Sequence, residues 1–393
     1  MAKIVLEKGR EQKTLDGHPW VYRTEIAGIE GRPAAGDVVA VEDWRGRFLG
    51  KGFFNPVSMI GVRLFTRQRG EDIDTGFWYR RLAAAWNYRQ KVLAGAPTDS
   101  FRAVFGEADF LPGLIVDNYA GCLVIQTLSA GVDRHIQDIA EILDGLVRPK
   151  AIYERNDSPT RDLEGLDRRS GFLKGQIEQP VMISENGLKF WVDVVKGQKT
   201  GHFLDQRENR AAIRPLVSGG RVLDCFCHTG GFGLHAAFYG AREVLGLDAS
   251  AEAVKMARDN ARLNGLENTC TFTTANVFDA LRELDRSGEK YDAVILDPPA
   301  FVKSRRALEG TVRGYKEINL RAFKILVPGG FLVTCSCSYH MPEELFLKTV
   351  IEAAKDARRT VRVIARRGQA PDHPWLAGYD ESNYLKCFIL QAL

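Results

Sequence analysis

At 393 residues the chain has room for two or three domains, and its 45% apolar and 26% charged residues are typical of a folded globular protein. No apolar run reaches the ~18 residues of a membrane-spanning helix, and the opening MAKIVLEKGREQK has neither the apolar core nor the cleavage site of a secretion signal. A cytoplasmic protein without a membrane partner is therefore expected, its seven cysteines reduced. The net charge is only +4, but the two ends of the chain are basic and the middle is acidic. That distribution fits an anionic partner, and a solvated surface accounts for it nearly as well.

Residues 1–68 read as short strands between turns. In GDVVAVEDWRGRFLGKGFFNP, β-branched and aromatic runs alternate with Gly-Asp and Asp-Trp-Arg-Gly turns, which predicts a small β-barrel or sandwich. DTGFWYRRLAAAWNYRQKVLAG then places Trp78, Leu82, Ala85 and Trp86 on one helical face, with Gly95 as the stop. A hairpin over 113–129, a helix near 131–147 and a strand at 151–155 follow, so 69–180 is expected to be a separate α+β domain. From 181 onward a hairpin leads into strands at 221–226, 243–250, 269–278, 291–299 and 329–338, with helical stretches between them. This alternation predicts a doubly wound, mostly parallel α/β sheet over 181–393.

Sheets of this kind bind ligands at the carboxyl ends of their strands. Here those ends carry Asp224 with Phe226 and Gly230 in a glycine turn, then Asp248, Asn276 and Asp297-Pro298-Pro299. A dinucleotide reading fails, because DCFCHTGGFG lacks the G-x-G-x-x-G pattern and Asp224 would repel a pyrophosphate. S-adenosylmethionine fits better: a cationic methionine end for Asp224, a ribose for Asp248 and an adenine edge for Asn276.

Several motifs now form a recognisable set. DCFCHTGGFGLHAA, GLDAS, NARLNG and DPPAF resemble those of class I RNA methyltransferases. KGQKTGHFLDQRENR, FLPGLIVDNYAG, IYERND and SCS are similar to the ribosomal large-subunit methyltransferase I family, in that family's order and over essentially the whole chain. The resemblance implies a PUA-like RNA-binding domain over 1–68 and a Rossmann-like methyltransferase domain that makes 5-methylcytidine in large-subunit rRNA. It also implies that Phe203 and Gln206 pack over the cofactor. Position 276 is Asn where relatives often have Asp, and its amide oxygen could still accept from the adenine amino group. Arg155 and Asp157 match the family, with no physical role legible in the sequence.

C5 of a pyrimidine is a poor nucleophile until a thiolate adds to C6. The resemblance places Cys337 of LVTCSCSYH as that nucleophile and Asp297 as the acid that supports N3, while Cys335, on the same face of the strand, is expected to pack. A metal site built from Cys225, Cys227, Cys335 and Cys337 has the wrong spacing for zinc, so no metal is expected. Two rivals stand beside this reading. One is an N-methyltransferase that uses DPPAF to hold an exocyclic amine of RNA, such as that of guanosine. The other is a non-catalytic RNA-binding ribosome-assembly factor. Candidate RNA contacts are Arg23 and Lys51 among the barrel's cations and aromatics, and Lys303 and Arg305 beyond DPPAF. A homodimer is left open.

Overall fold

The computed structural model describes residues 1–197, 200–301 and 308–393. They divide into two compact units. The first comprises Met1–Ile183, Val192–Leu204 and Pro371–Ser382; the second comprises Ser184–Trp191, Asp205–Ala370 and Asn383–Leu393.

The first unit opens with β1 (Ala2–Leu6), α1 (Glu11–Leu15), β2 (Trp20–Tyr22), β3 (Ile26–Glu30), β4 (Val38–Glu42), β5 (Phe48–Phe54) and β6 (Ile60–Thr66). These strands form one sheet in the order β2-β6-β5-β4-β1-β3 around a core that includes Ile4, Val39, Val41 and Val62. Gly52 is required where β5 meets β6, because a Cβ there would lie 1.9 Å from the Arg63 carbonyl oxygen. The chain continues through α2 (Thr75–Val92), β7 (Ser100–Phe105), β8 (Leu114–Tyr119), β9 (Cys122–Thr127), α3 (Ala130–Arg134), α4 (Ile136–Val147), β10 (Ala151–Asn156) and β11 (Arg169–Gly175). Its second sheet runs β11-β10-β9-β8-β7. Helix α2 starts where Asp74 caps it, the carboxylate accepting from the Phe77 N–H at 2.8 Å.

The barrel and the central section share a core. Phe53 and Phe65 of the barrel pack with Phe77, Trp78 and Val132, and a Cβ at Gly131 would fall 2.0 Å from the Phe53 ring. A buried polar seam accompanies it. The Glu164 carboxylate accepts from Asn55 at 2.9 Å and Ser58 at 2.5 Å and pairs with Arg63 at 2.9 Å. Arg155, whose role the sequence left open, is buried and ties three places together. It donates to the Val194 carbonyl at 3.1 Å, to the Gly197 carbonyl, and to Asp157 at 3.3 Å.

The hairpin of β12 (Val181–Glu185) and β13 (Leu188–Val192) lies where the chain passes between the units. The second unit continues with α5 (Arg207–Ala212), α6 (Arg214–Val217), β14 (Arg221–Cys225), α7 (Gly231–Phe238), β15 (Glu243–Asp248), α8 (Ala251–Leu263), β16 (Cys270–Thr274) and α9 (Val277–Ser287). It ends with β17 (Tyr291–Leu296), α10 (Leu308–Ile325), β18 (Leu326–Ser336), α11 (Glu343–Asp356), β19 (Val361–Arg367) and β20 (Lys386–Ala392). The sheet order is β16-β15-β14-β17-β18-β20-β19, with β20 antiparallel to both neighbours. The order reverses between β14 and β17, and that switch point opens a crevice at the strands' carboxyl ends. Strands β19 and β20 extend the sheet past the last strand expected from sequence.

Candidate active site

Strand β14 delivers the chain into a turn that few side chains tolerate. Phe226 at φ 63°, His228 at φ 49° and Gly230 at φ 87° all occupy the left-handed region, and helix α7 begins immediately after. Two non-glycine residues in that region within three positions are a concentrated strain, of the kind folds keep at ligand-binding turns. The Phe226 ring meets Phe278 and Phe301 edge-on at 6.4 and 6.3 Å. At Gly230 a Cβ would sit 3.0 Å from the Phe272 ring.

Asp248 braces this turn from the end of β15. Its two carboxylate oxygens accept from the His228 N–H and the Ser250 N–H, each at 2.9 Å. Asn276 caps α9, its amide oxygen accepting from the Phe278 N–H at 3.0 Å and the Asp279 N–H at 3.4 Å. The oxygen expected to read an adenine amino group is thus also the cap of helix α9.

Asp224 is fully buried. Its Oδ2 accepts from the Gly233 N–H at 2.7 Å, and its Oδ1 has no hydrogen-bond partner among the described residues. Burial, reinforced by the negative Asp297 and Asp248, pushes its pKa up to about 8 against the pull of the Gly233 N–H.

Asp297, just past β17, accepts from the Gln206 side-chain amide at 2.9 Å. Gln206 in turn accepts from Asn209 at 2.7 Å, and Asn209 accepts from Arg367 at 3.0 Å, so the carboxylate is oriented by a chain of three side chains. Cys337 follows β18, its Sγ 3.9 Å from the Pro298 carbonyl oxygen and so beside the Asp297-Pro298 turn. Of the seven cysteines it alone is half-buried; the other six are buried. Burial drives the Cys225 and Cys227 thiols well above the ordinary range, and contact with Cys387 does the same first of all for Cys335. Those sulfurs are packing groups.

Comparison with known proteins gives this arrangement a family. Residues 158–390 match the model for S-adenosylmethionine-dependent methyltransferases, and residues 4–67 match a PUA-like domain. The chain is 42% identical over 393 residues to the ribosomal RNA large subunit methyltransferase I of Tolumonas auensis, with 99% of each chain covered. It is 44% identical over 391 residues to the protein of that name from Aeromonas salmonicida, again with 99% of each covered. The chain belongs to the ribosomal RNA large subunit methyltransferase I family. A solved Streptococcus mutans structure, named for SAM-dependent methyl transfer, has the same fold over 100% of both chains, with TM-score 0.86 at 20% identity.

As a member of the family the chain takes its methyl group from S-adenosylmethionine, and the residues present fit that molecule. A buried carboxylate oxygen without a partner at Asp224 suits a cationic group. Asp248 still has lone pairs for ribose hydroxyls after accepting its two backbone bonds. Gln206 lies in the same unit as these strand ends, whereas Phe203, half-buried, falls in the Val192–Leu204 segment of the first unit.

Burial of Asp224 carries a pH signature. Below the ordinary value of 3.8 the folded and unfolded chains both hold the proton; between there and about 8 only the folded chain does. Folding stability in the absence of cofactor is therefore lost as pH rises through that window and levels off above it. Asp224→Asn should remove this slope, so the variant gains on the wild type from pH 4 to pH 8. Urea unfolding across that range checks it, and a pH-independent difference would show that the carboxyl is not held protonated.

The expected RNA contacts fare unevenly. Arg23 is exposed, its guanidinium donating to the Val57 carbonyl at 3.4 Å. Lys51 is corrected: it is 5% exposed, and its ammonium is held by the Glu71 carbonyl at 2.9 Å and Asp72 at 3.0 Å, which withdraws it from solvent and from phosphate. Lys303 and Arg305 lie outside the described residues. Trp44 is exposed, with Lys8 and Arg45 over its ring at 5.1 and 4.4 Å, a cation–aromatic surface whose Lys8 the sequence reading passed over. Also missed was the Gln206–Asn209–Arg367 chain, whose Arg367 lies 158 residues beyond Asn209. Among the described residues no helix is long and apolar enough to cross a membrane.

Proposed function

We propose that this chain methylates C5 of a cytidine in large-subunit ribosomal RNA, with Cys337 as the covalent nucleophile and Asp297 as the acid that supports the base. The observation that carries the reading is the position of the one incompletely buried thiol, 3.9 Å from the carbonyl that follows Asp297. In this mechanism the Cys337 sulfur adds to C6, and the electron pair of the C5–C6 double bond is drawn toward N3, where Asp297 holds a proton. The cofactor, when bound, supplies the sulfonium methyl group that C5 takes. Loss of the C5 proton then lets the C6–S bond break and returns Cys337. Gln206 keeps the Asp297 carboxyl aimed through its 2.9 Å bond. Asp224, Phe226, Gly230 and Asn276 shape the turn and cap around the cofactor.

The substrate in this reading is rRNA in the cytoplasm, gripped in part through Arg23 and the Trp44 surface, and a homodimer is an assembly that sedimentation would detect. Incubation of the protein with labelled cofactor and large-subunit rRNA, followed by nucleoside mass analysis, should give 5-methylcytidine. Label on guanosine instead would replace this reading with amine methylation at the Asp297 loop, and no label would favour the assembly-factor reading.

Asp248→Ala should weaken cofactor binding by about 1.5–3 kcal/mol, the scale of hydrogen bonds to a charged acceptor. It also removes the acceptor for the His228 and Ser250 N–H groups and so loosens the turn. Calorimetric titration with S-adenosylhomocysteine checks this; unchanged affinity would place the ribose elsewhere.

A further inference from the structure

A lysine inside a central strand needs a reason. Lys386 opens β20, directly opposite Ser336 in the antiparallel pairing with β18. It is 6% exposed, and its ammonium donates to the Ser338 carbonyl at 2.7 Å, so the charge is anchored on the residue that follows Cys337. A buried cation is costly unless an anion answers it. Two acidic groups lie within its electrostatic reach: the Cys337 thiol just past β18, and Glu343 at the start of α11.

We propose that Lys386 is the positioning residue that holds Cys337 as a thiolate, its ammonium fixed beside the sulfur by the Ser338 carbonyl. The inference rests on Cys337 being the nucleophile, and it supplies what that nucleophile needs. A free thiol with a pKa of ~8.5 is only a few per cent thiolate at neutral pH, and a neighbouring ammonium raises that share. Burial draws the Lys386 pKa down to about 8, with Cys337 and then Glu343 pulling it back up. The cation is therefore present at neutral pH and lost not far above it. The proton balance is simple. The thiol gives its proton to solvent while the ammonium keeps its own; the thiolate then forms its bond to C6, and the ammonium is still there to stabilise the thiolate when that bond breaks.

Alkylation tests this without any substrate. Because the other six cysteines are buried, the rate of iodoacetamide labelling of the folded protein against pH reports the Cys337 thiolate. The wild-type midpoint should lie below the ~8.5 of a free thiol. Lys386→Met should raise it by about one pH unit or more, slowing labelling at pH 7 about tenfold, since each unit is a factor of ten in thiolate. Methylation by the same variant should lose a similar factor in kcat at pH 7 and recover it toward pH 9.5, with KM for RNA and cofactor affinity unchanged. Lys386→Arg, a permanent cation, should keep the low midpoint. A lysine that did nothing but tie β20 to the Ser338 carbonyl would leave the labelling profile where it was. A folded Lys386→Met with the wild-type profile therefore overturns the proposal, as does a wild-type midpoint at or above the free-thiol value. If Lys386→Met does not fold, the wild-type and Lys386→Arg profiles decide, and a midpoint in the arginine variant equal to that of a free thiol counts against it. Failure of Cys337 as nucleophile would show separately, as methylation surviving Cys337→Ala.

Discussion

Cys337→Ala should bind cofactor and RNA normally and yet lose turnover by roughly 10³-fold or more, the scale on which removal of a covalent nucleophile acts. No other group among the described residues can take its place: the other six thiols are buried, and those of Cys225, Cys227 and Cys335 are pushed far from ionisation. Single-turnover methylation with labelled cofactor gives the rate. RNA carrying cytidine with fluorine at C5 gives a second readout, since a C5 without a removable proton should leave wild-type protein covalently attached and Cys337→Ala free. Cys335→Ala, by contrast, should cost stability alone. Normal methylation by Cys337→Ala would hand the chemistry to the Asp297 turn and an exocyclic amine.

Glu164→Ala should be among the most destabilising single changes in the first unit, by about 3–5 kcal/mol, because it strands a buried charge. Arg63 would lose its 2.9 Å partner with only 8% of its surface exposed, and Asn55 and Ser58 would lose their acceptor. Glu164→Gln should recover part of the loss by restoring an oxygen for Asn55 and Ser58. Urea unfolding of the full chain, followed by tryptophan fluorescence and by far-ultraviolet circular dichroism, measures the difference; a change below about 1 kcal/mol would mean Arg63 finds another partner at no cost.

These two sites differ in how far the sequence revealed them. Asp224, Asp248, Asn276, Asp297 and Cys337 stand at strand ends, and strand ends are local patterns: an apolar run, then a polar residue, then a turn or helix cap. Every one of them lies at the carboxyl edge of one sheet. Glu164 and Arg63 are separated by about a hundred residues, and nothing local marks either as buried. Lys51 shows the same limit from the other side. In sequence it is a cation among aromatics, and only the fold brings Glu71 and Asp72 to it. The strand NYLKCFILQAL escapes notice for a related reason: its apolar run is broken by Lys386 and Gln391, and only the fold shows that the lysine is the informative one. The position of Asn276 before Val-Phe-Asp also fits a helix cap, and its oxygen makes that cap.

The division of the chain has a practical consequence for anyone who would take the protein apart. The path crosses from one unit to the other after residues 183, 191, 204, 370 and 382. Neither half can be obtained as one uninterrupted fragment, and the barrel cannot be exchanged as a cassette without stripping Phe53 and Phe65 from a core they share with α2. A protease nick near residue 370 would sever the backbone without freeing the tail. The released piece still supplies β20 to the interior of a seven-stranded sheet, between β18 and β19, and Pro371–Ser382 to the first unit. Nicked protein should therefore travel as a single species on a sizing column and separate into two bands only in denaturant.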